Sequence, residues 1–238
     1  MNPVNEFSVM TSGAFTAAHF DLIPQLELLT MKKIVTTTTS VGTGETSIRN
    51  RLRRGEITDV VIVADTLIGK LIKEGLVLAE GRTAIAYSSI GMAVREGAPK
   101  PDISSIDALR KVILQAKSIG YSASVSGEYV TKELYQRLGI ADQVKNKSRL
   151  IGGGERVGAV IAKGDVEIGF QQMSELLPVQ GIAHITPLPP EVQKLSVFSA
   201  GVASTSRDIK LTQSVIKFLA SEEAAPAITR SGLEPICK

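Results

Sequence analysis

Residues 59–64 read Asp-Val-Val-Ile-Val-Ala, DVVIVA, an apolar run that opens on one acid. A strand with one wet face alternates polar and apolar positions. A strand apolar at every position is covered on both faces, as in a parallel sheet with helices above and below. The flanking sequence agrees. Leu67 to Glu74 is a helical stretch, and Gly75 is placed to stop it. Upstream, Phe7 to Met10 is a short strand, followed by Ser12-Gly13 and a helical run from Ala14 to Leu29 with Pro24 as a kink point. Lys33 to Thr37 is a β-branched strand, Thr38 to Thr43 a polar loop, and Gly44 to Arg53 a helix. Repeated β-α units with right-handed crossovers give an open parallel sheet.

The same alternation continues. Residues 83–95 (TAIAYSSIGMAVR) read as one long strand, and Gly97 to Ser105 as a loop rich in proline and serine. A helix over Ile106 to Ala116, a strand over Ser118 to Tyr121, a loop over Ser122 to Gly127 and a helix over Glu128 to Leu138 follow. Leu150-Ile151 is a strand before Gly152-Gly153-Gly154. Glu155 to Lys163 is helical, and Glu167 to Gln171 is a strand. Ala183 to Thr186 begins a return, Val197 to Val202 is another strand, and two helices near 210–221 and 223–231 finish the chain.

Composition excludes several functions. The 238 residues are 43% hydrophobic and 21% charged, enough for a folded core. Tryptophan is absent and aromatics are 4%, which argues against stacking of nucleic-acid bases. Net charge is +3, and the densest basic cluster, Arg49, Arg51, Arg53 and Arg54, reads as a solvated helix face, so no nucleic-acid partner is expected. Cys237 is the one cysteine, and His19 and His184 lie far apart, so neither a metal nor another cofactor is expected. No stretch is long and apolar enough to insert in a membrane. Met1 to Glu6 carries no leader-like pattern, which places the chain in the cytoplasm as it stands, or in the periplasm if a leader was removed.

Three strand-to-helix junctions share one design: Thr11-Ser12-Gly13-Ala14, Thr39-Ser40-Val41-Gly42, and Ser122-Ala123-Ser124-Val125-Ser126-Gly127. Each sets hydroxyls and glycine where a helix begins. A helix start offers free N–H donors, hydroxyls add O–H donors, and glycine lets backbone approach an anion. Plain N-capping is the simpler explanation for any one of them. Three in parallel units would converge at the carboxyl ends of the strands, where open α/β sheets bind ligands. A fourth junction, Gly152 to Val157, adds Arg156, whose planar fork suits a carboxylate. A fifth, Phe170-Gln171-Gln172, offers paired amides. No GxSxG, P-loop or HExxH motif occurs.

These pieces, with RLRRGEITDVVIV (51–63), SSIGMAVREGAPKPDISS (88–105), AKSIGYSASVSG (116–127), GDVEIGFQQMSELLPVQG (164–181) and GLEP (232–235), resemble the type II periplasmic solute-binding proteins, molybdate-binding-protein-like group. The resemblance runs from about Phe7 to Pro235. It implies a two-lobed α/β fold, each lobe a mainly parallel sheet flanked by helices, with a small anionic ligand in the cleft. Lobe I would be 1–83 plus 197–238, and lobe II 84–196. It implies ligand contacts at Ser12, Ser40, Ser126 and the Val157 region, and an ABC transporter as partner if the chain is exported. Molybdate binders commonly carry a tyrosine near the hinge. Here GFQQ supplies Gln171 and Gln172 instead, which argues against molybdate. The APKPDISS and GFQQMSELLPV segments look equally similar to the aconitate isomerase branch.

Two functions stay open from sequence, beside a third, a cytosolic anion sensor or regulatory domain, for which no partner motif is visible. One is a binding module for an organic carboxylate or an oxyanion such as molybdate, gripped by Ser12, Gly13, Ala14, Ser40, Val41, Ser122, Ser124, Ser126, Gly127, Arg156, Val157, Gln171 and Gln172. The other is an isomerase of an unsaturated tricarboxylate working by proton transfer, for which His19, Glu155 and Tyr129 are the candidate acid–base groups. Arg156 tilts the ligand class toward a carboxylate, because separated charges exceed the reach of one helix start.

Overall fold

A computed structural model describes residues 5–39, 44–152 and 155–237. In chain order the elements are β1 (Glu6–Ser12), α1 (Gly13–Thr30), β2 (Lys33–Thr39), α2 (Ile48–Arg53), β3 (Val60–Ala64), α3 (Asp65–Lys73), β4 (Thr83–Ser88), β5 (Ile90–Arg95), α4 (Ile106–Gln115) and β6 (Ile119–Ser122). Then come α5 (Val125–Tyr129), which runs through a π turn at Val130–Leu134 into α6 (Tyr135–Arg137), α7 (Ala141–Val144), β7 (Ser148–Ile151), α8 (Val157–Lys163), β8 (Ile168–Gln172) and α9 (Met173–Leu176). The chain ends with β9 (Ile182–Pro187), β10 (Ser196–Val202), α10 (Ile209–Leu219), α11 (Ala225–Arg230) and β11 (Glu234–Pro235).

Two compact units form: Met1–Ser88 with Val197–Lys238, and Ser89–Ser196. The first contains a six-stranded sheet in the order β11-β4-β10-β3-β1-β2, the second a five-stranded sheet in the order β7-β6-β8-β5-β9. In the first, β1 runs parallel to β2 and β3, while β10 runs antiparallel to β3. In the second, β6 runs parallel to β7 and β8, while β5 runs antiparallel to β8 and β9. Each sheet thus has a parallel half, whose strand ends all point to one edge.

The apolar run does what its pattern requires. All five residues of β3 are buried. Val60 and Ile62 pack with Phe15, Leu22 and Leu26 of α1 and Leu219 of α10, while Val61 and Val63 pack on the other side with Ile48, Leu52, Ile68 and Leu71. Burying each such side chain favours folding by about 1.5–3 kcal/mol, an upper bound against a compact unfolded chain. Asp59, just before the strand, is a buried staple. Its carboxylate accepts from the Ser8 amide at 2.8 Å and from the Arg207 amide at 3.1 Å, tying β1 to the turn after β10.

Three local readings change. The stretch 83–95 is two strands, not one: β4 belongs to the first unit's sheet and β5 to the second's, with Ser89 between them. Helix α2 begins at Ile48, capped by Ser47, and not at Gly44. Helix α5 begins at Val125, so Ser126 and Gly127 lie inside it. Gly127 is required there. A Cβ at that position would sit 1.8 Å from the Ser122 carbonyl oxygen, so the helix can lie this close to the strand end only without a side chain.

Candidate functional site

Register places the expected residues. In the second unit Ser122 pairs with Ile151 and Tyr121 with Phe170, so β7, β6 and β8 end side by side. In the first unit Ser12 pairs with Thr39, and Thr11 pairs with Ile62. The junctions read from sequence therefore share one edge within each unit. Ser40, Val41, Gly153 and Gly154 lie outside the described residues.

Helix capping differs among the helix starts whose N-cap residue carries an acceptor side chain. Ser47, Ser105 and Asp208 precede α2, α4 and α10, helices that start from loops. Each accepts a hydrogen bond from the amide three residues on, at 3.4, 3.2 and 3.0 Å. Helices that start from parallel strand ends do not follow suit. Of the N-cap residues there, Ser12, Ser124 and Gln172 carry an acceptor and make no side-chain cap bond, while Ala64 and Arg156 have no acceptor to offer. The strand-end hydroxyls are therefore not serving as caps.

Ser12 is buried and its hydroxyl has no partner among the described residues, although Thr11 and Thr16 both donate to its carbonyl oxygen. Gly13 is partly open and Ala14 is buried beside it. In the second unit Ser122, Ser124 and Ser126 form a ring of hydroxyls, with Oγ–Oγ separations of 2.7, 3.0 and 3.2 Å. Each hydroxyl carries one rotatable proton, so the ring holds three donors that can turn from one another to an anion.

The other expected residues divide. Val157 points into the core against Gly120 and Gly169, leaving only its backbone toward the edge. Arg156 is exposed at the N-cap of α8. Gln172 donates to Ser196 Oγ at 3.2 Å and so helps hold the chain where β10 begins. Gln171 is buried with its Oε1 unpartnered among the described residues.

None of the three acid–base candidates named from sequence is well placed. The Tyr129 hydroxyl donates to the Val192 carbonyl at 2.6 Å inside the core. Glu155 is exposed and faces Lys163 at 3.5 Å. His19 is buried in the first unit against Thr36 Oγ1 at 2.7 Å, and burial lowers its pKa to about 4. The group that sequence reasoning misses is Glu175, in α9 just past Gln171 and Gln172. Burial pushes its carboxyl up to about 7, against the opposing pull of the Arg156 charge and a hydrogen bond from Gln171. Its signal is position: MSEL follows a strand end just as the serine junctions do. The first unit also carries an unforeseen strand-end group, Asp65, held by the Arg82 guanidinium and by Ser199 at 2.7 Å. Those contacts keep its carboxyl below the usual range. Among the described residues no cluster of three or more histidine, cysteine or acidic side chains could hold a metal.

Two α/β units, each with uncapped helix starts and hydroxyl donors at the ends of parallel strands, define a protein built to hold a small solute. The family model of the bacterial extracellular solute-binding proteins matches residues 7–234, and the chain belongs to that family. It is 37% identical over 235 residues to the aconitate isomerase of a Pseudomonas species, covering 98% of this chain and 89% of that one. Its fold is that of the Azotobacter vinelandii periplasmic molybdate-binding protein, with a TM-score of 0.79 at 17% identity over 95% of this chain and 98% of that one. It is also similar to PEB3 of Campylobacter jejuni with L-phospholactate bound, with a TM-score of 0.73 at 12% identity over 96% and 99% of the two chains. These are two-lobed binding-protein folds, with mixed sheets flanked by helices. No helix among the described residues is long and apolar enough to cross a membrane.

Proposed function

We propose that the chain binds a small organic polycarboxylate, of the size and charge of an unsaturated tricarboxylic acid, through hydroxyl and guanidinium donors at its strand ends. The observation that carries this reading is the neutral hydroxyl ring at Ser122, Ser124 and Ser126, on the same strand-end edge of the second unit as Arg156, the residue that opens α8 after β7. Ser12 supplies a hydroxyl without a partner among the described residues of the first unit. A ring of hydroxyls and amides satisfies one anionic group. Charges several ångströms away call for a fork, and arginine offers two parallel N–H bonds to a carboxylate. The relation to an aconitate isomerase favours the same class. The runner-up is a compact tetrahedral oxyanion, supported by the neutral donors and by the molybdate-binding neighbour. As a family member the chain would hand its ligand to an ABC transporter if it is exported.

A thermal-shift and calorimetric panel of both aconitates, citrate, molybdate, tungstate, sulfate and phosphate tests this, since a ligand at about 100 times its Kd adds about 2.7 kcal/mol. A polycarboxylate is expected to stabilise most. Arg156→Lys, which keeps charge and loses the fork, is expected to weaken that ligand about tenfold and to leave any oxyanion unaffected. Submicromolar molybdate binding without stabilisation by any carboxylate would defeat the proposal.

A further inference from the structure

The carboxyl end of β8 carries more than donors. Gln171 is 4% exposed and Ser174 is 1% exposed. Gln171 Oε1 and Ser174 Oγ both lack a hydrogen-bond partner among the described residues. A buried polar group left unmet forfeits its hydration with nothing in return, so two at one junction mark a place where something else is to be met. Glu175 stands with them in the first turn of α9. The Gln171 side chain hydrogen-bonds its carboxyl, and the Arg156 charge lies near enough to act on it. Part of Glu175 still reaches solvent. Register puts this junction next to Ser122, because Tyr121 pairs with Phe170.

We infer that Glu175 is the acid–base group of an allylic proton transfer, moving a proton between two carbons of an unsaturated polycarboxylate held by the serine ring and Arg156. The inference rests on the ligand class proposed above and goes beyond it, from holding to chemistry. The ionised carboxyl takes a proton from the methylene carbon next to a substrate carboxylate. That C–H electron pair becomes a new C=C bond, and the electrons of the old C=C bond pass to its far carbon. The far carbon takes the proton back from Glu175. Substrate and product have the same composition, Glu175 ends as it began, and no oxidant or reductant enters. Negative charge gathering on the substrate's carboxylates is met by the serine hydroxyls and the guanidinium, donors already in place.

A pKa of about 7 suits this exchange, since both protonation states are populated at neutral pH. The elements packed on α9 are β5, β8, β9 and α8. Their charged or titratable residues are Arg95 on β5, His184 on β9, and Arg156 and Lys163 on the α8 side. Arg156 acts on Glu175, and it favours the charged form. Lys163 faces Glu155, Arg95 lies against Gly164, and His184 is exposed.

The test mixes the full chain with trans-aconitate in deuterium oxide, follows methylene exchange and isomer formation by proton NMR, and measures binding separately by calorimetry. The wild type is expected to interconvert the isomers, with a rate that rises with pH through an apparent pKa of about 7. Glu175→Gln is expected to bind within a few-fold of wild type and to turn over at least about 100-fold more slowly, the usual share of one acid–base group. Glu175→Asp should recover part of the rate. Binding by wild type with neither exchange nor isomerisation overturns the inference and leaves the binding proposal standing. Wild-type turnover by Glu175→Gln also overturns it. If no carboxylate binds at all, both fall. Should Glu175→Gln fail to fold, the wild-type profile decides alone, and a rate flat from about pH 5.5 to about 8.5 overturns the inference.

Discussion

The first unit buries a histidine and the second half-buries a carboxyl, and the same physical cause drives them in opposite directions. Desolvation disfavours the charged form of either. It holds His19 at about 4, below its ordinary 6.5, and Glu175 at about 7, above its ordinary 4.5. His19 faces α1's own sheet, with Nε2 on Thr36 and Nδ1 unpartnered among the described residues, so it is a neutral core residue. Glu175 sits at the strand-end edge, partly open to solvent, hydrogen-bonded by Gln171 and under the pull of the Arg156 charge. On the proposal made above, position on the sheet marks the working group and burial alone does not.

The most damaging change expected is Gly127→Ala. Its Cβ would meet a backbone oxygen, Ser122 O, at 1.8 Å, and backbone cannot turn aside. A loss of about 3 kcal/mol or more, the upper range for overpacking, is expected in urea denaturation, together with loss of ligand binding. The first unit's crowded Gly201 faces the Val77 Cγ1 methyl at 2.7 Å, and a side chain can yield. Gly201→Ala should therefore cost less than half as much. Equal costs would show that the serine junction is not the tighter of the two.

The two desolvated groups give opposite pH dependence. For His19 the unfolded chain takes up its proton first, so its contribution is fully present above pH 6.5 and is lost as pH falls toward 4. For Glu175 the folded state keeps a proton that the unfolded chain has lost, so stability falls as pH rises from 4.5 through 7. Glu175→Gln removes the second slope. It is expected to be more stable than wild type at about pH 8 by on the order of 2–3 kcal/mol, and nearly equal to it at low pH. That size follows from about 1.36 kcal/mol for each pH unit between the folded and ordinary values, reduced because Glu175 is partly exposed. His19→Gln should instead flatten the acid limb. Parallel stability curves for wild type and Glu175→Gln across that range would mean that Glu175 titrates normally.

What is legible in the sequence follows the same line. The buried parallel strand is written in DVVIVA, because a pattern apolar at every position has only one comfortable setting, and β3 does face two cores. The strand-end hydroxyls are legible as residue types, and the structure places Ser122, Ser124 and Ser126 within one ring. The break at Ser89 is not legible, since an apolar run does not say which sheet each half will join. Glu175 does not stand out, because an acid in a helix's first turn is ordinary. Its burial comes from the packing of α9 on β5, β8 and β9, which no local pattern encodes. Tyr129 misleads for the converse reason. Its hydroxyl is taken by Val192, far along the chain.

The smallest effect expected separates a cap from a ligand donor. Ser105 and Ser12 both precede helices, but Ser105 Oγ accepts from the Ala108 amide at 3.2 Å, whereas Ser12 Oγ accepts from nothing among the described residues and is buried. Ser105→Ala should lower stability by about 1 kcal/mol, the usual value of an N-cap, and leave ligand affinity alone. Ser12→Ala should do the reverse. Removing a buried hydroxyl that has no partner does not weaken the fold, and by relieving its desolvation it can raise stability by roughly a few tenths of a kcal/mol. The same change removes a donor to an anion, which is read as a tighter wild-type Kd in calorimetry against an unchanged or slightly higher Tm in the variant. If Ser12→Ala instead loses about 1 kcal/mol of stability and binds as wild type does, Ser12 is a cap after all. The contrast between loop-started and strand-started helices would then fail in the first unit.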